Sequence, residues 1–349
     1  MARRSVGKPR FYADILQYIK TIGKYDSSTH PELFNLNPSN NQEYVLHDSA
    51  SDTYTFKINS EDGTGGAVSQ LLSVDGNIYY GILGHNFDNK DVVWGVKYKK
   101  ESGGWSSPLV DSSSTFYNGS SDSSNVYTKP IYDGYSIVIP TSSDADASGK
   151  EIRWQVKNNE TSLSYIRLGA FTFGRYYEPE HSFDLKSSII DEYDGIKLSN
   201  TIGGSTIANI SHLGQPEWGN KLPAWTLAKD ETIPFVAERV YDYGVGSKKS
   251  RRKWEVGLSY LSDDKLFHKH TNHNEFYDYD EDTDSYTIDT DSMAGFFKLS
   301  LNGKIPFIFT PDSSLDEPEF AICRITNKPS FKQVANNLFS TSLTITETW

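Results

Sequence analysis

The sequence predicts an all-β protein, and two observations support this prediction. Its 22 Tyr, 18 Phe and 7 Trp suit pleated sheets, and its many Ser, Thr, Asn, Asp and Gly residues suit turns. Three strand-like runs, separated by short polar breaks, lie near the C-terminus at residues 305–312, 320–325 and 338–349. Because an unpaired terminal strand would fray, we expect the last run to be paired inside a sheet.

Short strand-like runs also fill the first half of the chain. They alternate with clusters of Gly, Asp, Asn and Ser, a rhythm typical of a β-sandwich. The runs lie at residues 53–58, 78–86, 92–98, 135–139, 152–156 and 165–174. In the second half we expect a strand at residues 253–261 and a helical segment around Phe296.

Four regions are therefore predicted. They are a basic N-terminal arm with a short helix (1–27), a β-sandwich (28–178), an extended connection (179–230) and a second β domain (231–349). The connection is expected to be irregular because Gly203, Gly204, Pro216 and Pro223 interrupt it.

The N-terminal arm is the predicted assembly element. Residues 1–25 hold six basic residues against a single acid, Asp14, and residues 9–24 have the apolar spacing of a helix that ends at Gly23. So short a helix must pack on its own protein or on a partner, while the basic residues alone are also consistent with a solvated terminus. The expected assembly contacts are Arg3, Arg4, Arg10, Phe11, Ile15 and Tyr18. Deleting residues 1–25 is then expected to weaken assembly and to leave the β domains folded.

Charge and composition exclude several classes of function. A net charge of −12 disfavours nucleic-acid binding, which needs a basic surface. No apolar run approaches the length that inserts into a bilayer, and the N-terminus lacks the apolar core of a signal peptide. We therefore expect synthesis and folding in a reducing cytoplasm, or release from the cell without the secretory route. The single cysteine, Cys323, precludes an intrachain disulfide and is expected to be buried.

Two segments contain residue types that bind metals. His268, His270 and His273 are close in sequence, but nothing nearby fixes their geometry, and a polar loop is the preferred interpretation. Asp278, Asp280 and Asp282 begin an acidic segment with the oxygen spacing of a calcium loop, although Thr283 stands where such loops require Gly. The segment allows opportunistic calcium binding, and a solvated acidic loop is preferred. No cofactor is expected.

No catalytic motif is evident. The carboxylate pairs at residues 178/180, 191/192 and 263/264 are of the type that glycosidases use, but such pairs arise by chance in a chain with 46 acidic residues. Nucleophile, phosphate-binding and dinucleotide-binding motifs are lacking in the sequence, so we expect a protein that is not an enzyme.

Aromatic residues of the predicted sandwich offer a different kind of site. Exposed aromatic rings stack on sugars, and Trp94, Trp105 and Tyr117 are candidates for such a platform. Trp94 and Trp154 lie within strand-like runs, where packing in the core explains them equally well. Trp105, beside Gly103 and Gly104, is therefore the expected glycan contact.

The first half resembles the galactose-binding-like jelly rolls found in many phage-encoded proteins. The resemblance is carried by Tyr-Gly-Ile-Leu-Gly-His-Asn-Phe at residues 80–87 and Tyr-Ile-Arg-Leu-Gly-Ala-Phe-Thr-Phe-Gly at residues 165–174. It implies that the first stretch is a core strand ending in a His-Asn turn, and that the second stretch is the closing strand.

The second half resembles virion proteins of tailed bacteriophages. The matching stretches are residues 174–179 (Gly-Arg-Tyr-Tyr-Glu-Pro), residues 192–197 (Glu-Tyr-Asp-Gly-Ile-Lys) and Gly203-Gly204. A strand at 252–260, then Gly-Lys-Ile-Pro-Phe-Ile-Phe at 303–309 and Leu-Thr-Ile-Thr-Glu at 343–347, is similar to distal-tail and baseplate β domains.

This resemblance implies a structural protein of the virion tail or baseplate that binds copies of itself and other tail proteins. One alternative is a carbohydrate-binding module that recognises a glycan on the host surface. A glycan hydrolase is the least favoured of the three.

Overall fold

The computed structural model describes most of the chain in segments. These are residues 7–22, 25–28, 30–38, 42–46, 53–60, 77–87, 92–99, 104–107, 110, 112–122, 124, 126–131, 134–140, 151–158, 164–192, 196–210, 251–266, 277–280, 285–288, 292–314 and 320–348. Within these segments the protein is mostly antiparallel β-sheet with a few short helices, which confirms the predicted fold class.

The first half contains fourteen of the described strands and the first helices. α1 is Ile15–Thr21, and a 3₁₀ helix covers Pro31–Phe34. The strands are β1 Arg10–Asp14, β2 Tyr25–Ser28, β3 Gln42–Leu46, β4 Thr53–Ser60, β5 Ile78–His85, β6 Val92–Lys99, β7 Trp105–Ser106, β8 Thr115–Tyr117, β9 Ser120–Ser121, β10 Thr128–Lys129, β11 Gly134–Ile139, β12 Glu151–Asn158, β13 Ser164–Leu168 and β14 Ala170–Tyr177.

The second half adds ten described strands and two further helices. The helices are α2 Asp263–Leu266 and α3 Met293–Leu299. The strands are β15 Ser188–Glu192, β16 Ile196–Asn200, β17 Thr206–Ile210, β18 Arg251–Ser262, β19 Tyr277–Asp280, β20 Ser285–Ile288, β21 Phe307–Thr310, β22 Ala321–Ile325, β23 Phe331–Ala335 and β24 Leu338–Glu347.

Two large sheets organise these strands. The larger has eleven strands in the order β15-β18-β24-β22-β21-β1-β14-β5-β11-β8, with β23 paired to β24. The smaller has seven strands in the order β2-β4-β12-β6-β10-β9, with β7 paired to β6. The larger sheet therefore contains strands from both halves of the chain, and β1 lies where the two sets meet.

The two sheets pack face to face in the first half through aromatic side chains. Trp154 of β12 stacks on Phe171 of β14 with ring centroids 5.1 Å apart, and Phe56 of β4 lies 4.9 Å from the same phenylalanine. Trp94 of β6 meets Tyr80 of β5 edge to face at 5.8 Å. Such rings bury large apolar areas, so this layer forms the core of a β-sandwich.

β1 is held on both sides. It pairs antiparallel with β14, where Phe11 lies opposite Tyr177, and antiparallel with β21, where Arg10 lies opposite Thr310. Gly174 permits the first pairing, because a Cβ at this position would collide with the backbone carbonyl of Ala13. The strand is thus a central element of the sheet and joins its two halves.

The predicted N-terminal helix is wrong in its first part. Residues 10–14 form β1, and only Ile15–Thr21 is helical. The alternation of Phe11, Ala13 and Ile15 fits a strand as well as a helix over so short a run, and pairing with β14 and β21 decides between them.

The irregular connection expected at residues 179–230 contains regular structure. β15 extends the large sheet by pairing with β18, and β16 and β17 form a separate hairpin. Residues 211–230 lie outside the described residues. The Gly203-Gly204 pair, interpreted as a break, lies in the turn of that hairpin.

The closing strands behave as the sequence predicts. β24 runs to Glu347 and is paired with β18, β22 and β23, so the last strand is inside the sheet. The segment around Phe296 is helical, as α3, and its Phe296 ring lies 5.0 Å from both Phe11 and Phe307. Cys323 is fully buried on β22, and this burial raises the pKa of its thiol.

Candidate functional site

The predicted assembly contacts lie largely inside the chain's own core. Phe11 and Ile15 are fully buried and Tyr18 nearly so. An anchor for another subunit must present its side chain outward, so the folded chain does not offer these three residues to a partner. Arg3 and Arg4 lie outside the described residues.

Arg10 joins the start of β1 to the end of β14. Its guanidinium donates to Glu178 at 2.8 Å through Nε and to the Tyr117 hydroxyl at 3.1 Å, and it lies over the Tyr176 ring at 4.5 Å. Lys8 reaches the other oxygen of Glu178 at 2.9 Å. Arg10, one of the six basic residues of the N-terminal segment, is thus engaged within its own chain and is not a free surface contact.

Glu178 belongs to one of the carboxylate pairs of the type that glycosidases use, but its surroundings favour a structural role. Burial alone would raise the pKa of Glu178, but hydrogen bonds from Lys8 and Arg10, together with one from Ser313, lower it below its ordinary value. A general acid needs a raised pKa, so this carboxylate is unsuited to donating a proton near neutral pH.

Asp14 ends β1 and caps α1. Its Oδ1 accepts hydrogen bonds from the backbone N–H groups of Leu16 at 2.8 Å and Gln17 at 3.2 Å, and its Oδ2 accepts one from the Thr172 hydroxyl at 3.0 Å. Burial raises the pKa of Asp14 to about 7, although these hydrogen bonds favour the ionised form. The carboxyl joins the N-terminal segment to β14, because Thr172 lies on that strand.

A second buried charge pair ties the closing strands together. The Arg252 guanidinium of β18 donates to Glu347 of β24 through Nε at 3.0 Å and through Nη2 at 2.8 Å, and Nη2 also donates to the Phe320 carbonyl at 3.0 Å. Both side chains are almost fully buried. Bidentate pairing with all partners satisfied makes this a structural bridge between β18, β24 and the start of β22.

The two stretches that carry the jelly-roll resemblance are brought together. β5 pairs with β14, and the Asn86 Oδ1 that follows β5 accepts from the backbone N–H of Arg167 on β13 at 2.6 Å. His85 is fully buried against Phe87, and burial lowers the pKa of His85 to about 3, which leaves the imidazole neutral. The His-Asn turn therefore links strands, and its histidine is a core residue.

The proposed sugar platform is reduced to one residue. Trp94 is fully buried and Tyr117 nearly so, which makes both core residues. Trp105 is half-buried on the short strand β7, and the guanidinium carbon of Arg153 lies 3.4 Å from the centre of its ring. One face of this indole is thus covered by a cation, and any sugar would have to use the remainder of the ring.

The remaining carboxylate pairs are also partly engaged. Asp191 and Glu192 lie on β15 opposite Arg252 and Arg251, and Glu192 approaches Lys253 at 3.7 Å. Asp263 begins α2, and its backbone N–H donates to the Asn337 carbonyl. These residues therefore lie on a strand of the large sheet and at the start of a short helix, and the Glu192 carboxylate faces a lysine.

The predicted metal segments are only partly described. His268, His270, His273 and Asp282 lie outside the described residues. Asp278 and Asp280 belong to β19, which pairs antiparallel with β20. Among the residues that the structure describes, no group of three or more His, Cys, Asp or Glu side chains is placed to hold a metal ion.

The feature that the sequence analysis missed is the hairpin of β16 and β17. We call residues 196–210 the arm; this segment is distinct from the basic N-terminal arm predicted at residues 1–27. Every residue from 197 to 209 is exposed, including Leu198, Ile202 and Ile207. Two alternating runs around a Gly-Gly pair are a hairpin signal, and this signal was available in the sequence.

Comparison with known proteins does not identify the chain. A scan against models of known protein families finds no match, and a search of curated proteins finds no similar sequence. In the described part of the chain, no helix combines the length and apolar character needed to cross a membrane. The resemblances to jelly rolls and to phage tail proteins therefore stay predictions.

Proposed function

We propose that the protein is a structural, non-enzymatic component of a tailed-phage virion, in the tail or baseplate. It would act through contacts with copies of itself and with neighbouring tail proteins. The proposal rests on the sequence resemblance of the second half and on one structural observation. This observation is the eleven-stranded sheet that continues through both halves of the chain.

A continuous sheet suits a component whose task is to hold a position. Strands from the two halves share hydrogen bonds through β1, so the halves cannot move apart at a hinge without breaking that strand's pairing. Hinge motion around a cleft is a common feature of enzymes that close over a substrate. The connection through β1 favours a rigid body over such a design.

The buried and half-buried charges support the same proposal. Arg252 and Glu347 satisfy each other inside the sheet, and Arg10 and Glu178 join its strands. Acid and base groups of an active site are instead held ready for a substrate, with pKa values near the working pH. In these two pairs the opposite charges hold neighbouring strands of the sheet together.

The test is to locate labelled copies of the protein on intact phage particles by electron microscopy and to count them. We expect a fixed number of copies at the tail or its tip. A protein that is missing from intact particles, remains a monomer when purified and turns over a glycan would overturn the proposal.

Carbohydrate binding is the second candidate, and Trp105 is the observation that favours it. This tryptophan is half-buried beside Arg153 at the margin of the smaller sheet, where aromatic and cationic groups together suit a polar sugar. A glycan array tests it. Binding that is present in the wild-type protein and lost in Trp105→Ala supports this function, and equal signals from both proteins exclude Trp105 as the contact.

A further inference from the structure

The arm stands away from the rest of the described protein. Its two strands pair with each other, and no other described strand or helix makes an extensive contact with them. Leu198 is 70% exposed, and Ile202 in the turn is fully exposed. An isolated two-stranded hairpin is at best marginally stable in water, so the arm would gain order from a surface that covers it.

The arm has one distinctly apolar face. Leu198 lies opposite Ala208, and Ile196, two residues before Leu198, shares their face because strand side chains alternate. The opposite face has Lys197 and Ser199, with Ile207 as its apolar member. Together with Ile202 at the tip, Leu198 and Ala208 form the surface that most favours burial.

Charge indicates what kind of surface would cover this face. The arm contains one basic residue, Lys197, and no acidic residue, whereas the chain as a whole has a net charge of −12. A hairpin whose charge is positive is attracted to an acidic surface, and every further copy of this chain has a net negative charge. One lysine is too few for a nucleic acid or an anionic membrane, which are held by clusters of basic residues.

We propose that the apolar face of the arm docks on a second copy of this chain. The inference deepens the proposed function and rests on it, because it assigns the self-association of the tail protein to residues 196–210. An arm that binds a different surface of the next copy makes a head-to-tail contact, and such contacts generate rings or filaments.

The experiment measures the mass of the full-length protein by light scattering across a range of concentrations. It compares the wild-type chain with Leu198→Asp and Ile202→Asp, which place a negative charge on the apolar surface. Leu185→Asp is the matched control, since Leu185 is also fully exposed but lies outside the arm. Circular dichroism checks that each variant remains folded, which we expect because Leu198 and Ile202 do not contribute to the core.

We expect wild-type protein and Leu185→Asp to associate alike, and each arm variant to weaken association at least tenfold. Oligomers that form equally well from the arm variants would overturn the arm as the contact and leave the proposed function standing. A wild-type protein that is monomeric at every concentration would overturn both self-association and the arm. Binding of the arm to a different tail protein and not to itself would overturn the second copy as its occupant.

Discussion

β1 and the arm are two short segments with apolar residues, and they differ in burial. Phe11 and Tyr12 of β1 are fully buried, whereas Leu198 and Ile202 of the arm are largely or fully exposed. β1 has strands of the same chain on both sides, and the arm has none of the described strands beside it. An apolar pattern therefore indicates that a segment favours burial. It does not indicate which surface buries the segment.

The largest expected effect is the loss of β1. Deleting residues 1–14 leaves the edges of β14 and β21 unpaired in the middle of the sheet and removes Phe11, so we expect the protein to be unfolded or aggregated. Circular dichroism and thermal unfolding measure this. The outcome differs from the earlier expectation that removing the N-terminus would spare the β domains.

Replacing the arm, residues 196–210, with a short Gly/Ser linker is the matched control for that deletion. We expect this variant to keep its unfolding temperature. If both deletions gave folded proteins of similar stability, the contrast between the two segments would be lost.

The buried pair of Arg252 and Glu347 gives the next effect. Glu347→Gln leaves the guanidinium without its counter-charge inside the sheet, and we expect a loss of about 3–5 kcal/mol in the free energy of unfolding. The exposed pair of Arg167 and Glu43 has the same chemistry. Glu43→Gln should change the free energy of unfolding by about 0–1 kcal/mol. Chemical denaturation compares the two, and equal losses would contradict the role assigned to burial.

Asp14, at the end of β1, is expected to make the free energy of unfolding depend on pH. Its carboxyl has an ordinary pKa of 3.8 when unfolded and a pKa of about 7 when folded, so between these values the folded protein keeps a proton that the unfolded chain has lost. Stability should therefore fall as the pH rises from about 4 to about 7, by roughly 4 kcal/mol at most. Urea unfolding across this range measures it.

Asp14→Asn is the control for this pH dependence. The amide keeps a cap acceptor for α1 but cannot ionise, so the variant should show a flatter profile and gain stability relative to wild type above neutral pH. An identical profile in the two proteins would show that another group causes the dependence.

The smallest effect is expected at the tip of the arm. Ile202→Ala removes a fully exposed side chain and should change the stability of the monomer by less than about 0.5 kcal/mol. Phe11→Ala, at the buried end of the comparison, should cost about 3–5 kcal/mol. Thermal unfolding at low protein concentration checks both, and a large loss from Ile202→Ala would place the arm within the folded core.

The sequence predicted the β-class and many strands because their signals are local. Alternation and turn residues found the runs that became β4, β5, β6, β12 and β18, and the closing block that became β21, β22 and β24. The place of β1 could not be predicted in this way, because it depends on pairing between Arg10 and Thr310 and between Phe11 and Tyr177. Such long-range partners leave no mark in a window of neighbouring residues.

The candidate sites were harder to predict than the fold. Residue types placed Phe11, Ile15 and Tyr18 on a surface, but only tertiary contacts reveal that the chain covers them itself. The arm was not predicted, because a Gly-Gly pair such as Gly203-Gly204 indicates an interruption of structure as readily as the turn between two paired strands. The Gly-rich setting of Trp105 distinguishes it from Trp94, which is fully buried, and sugar binding by Trp105 stays a prediction.

The position of β1 also bears on how the protein is made. The ribosome releases this strand well before its partners, since β14 begins at Ala170 and β21 at Phe307. Until both partner strands have emerged, Phe11 and Tyr12 lack the strands beside which they are buried. Pairings over such sequence distances are also slow to form. We therefore expect exposed apolar side chains of β1 to promote aggregation during translation, and we expect either half of the chain to be insoluble when it is expressed alone.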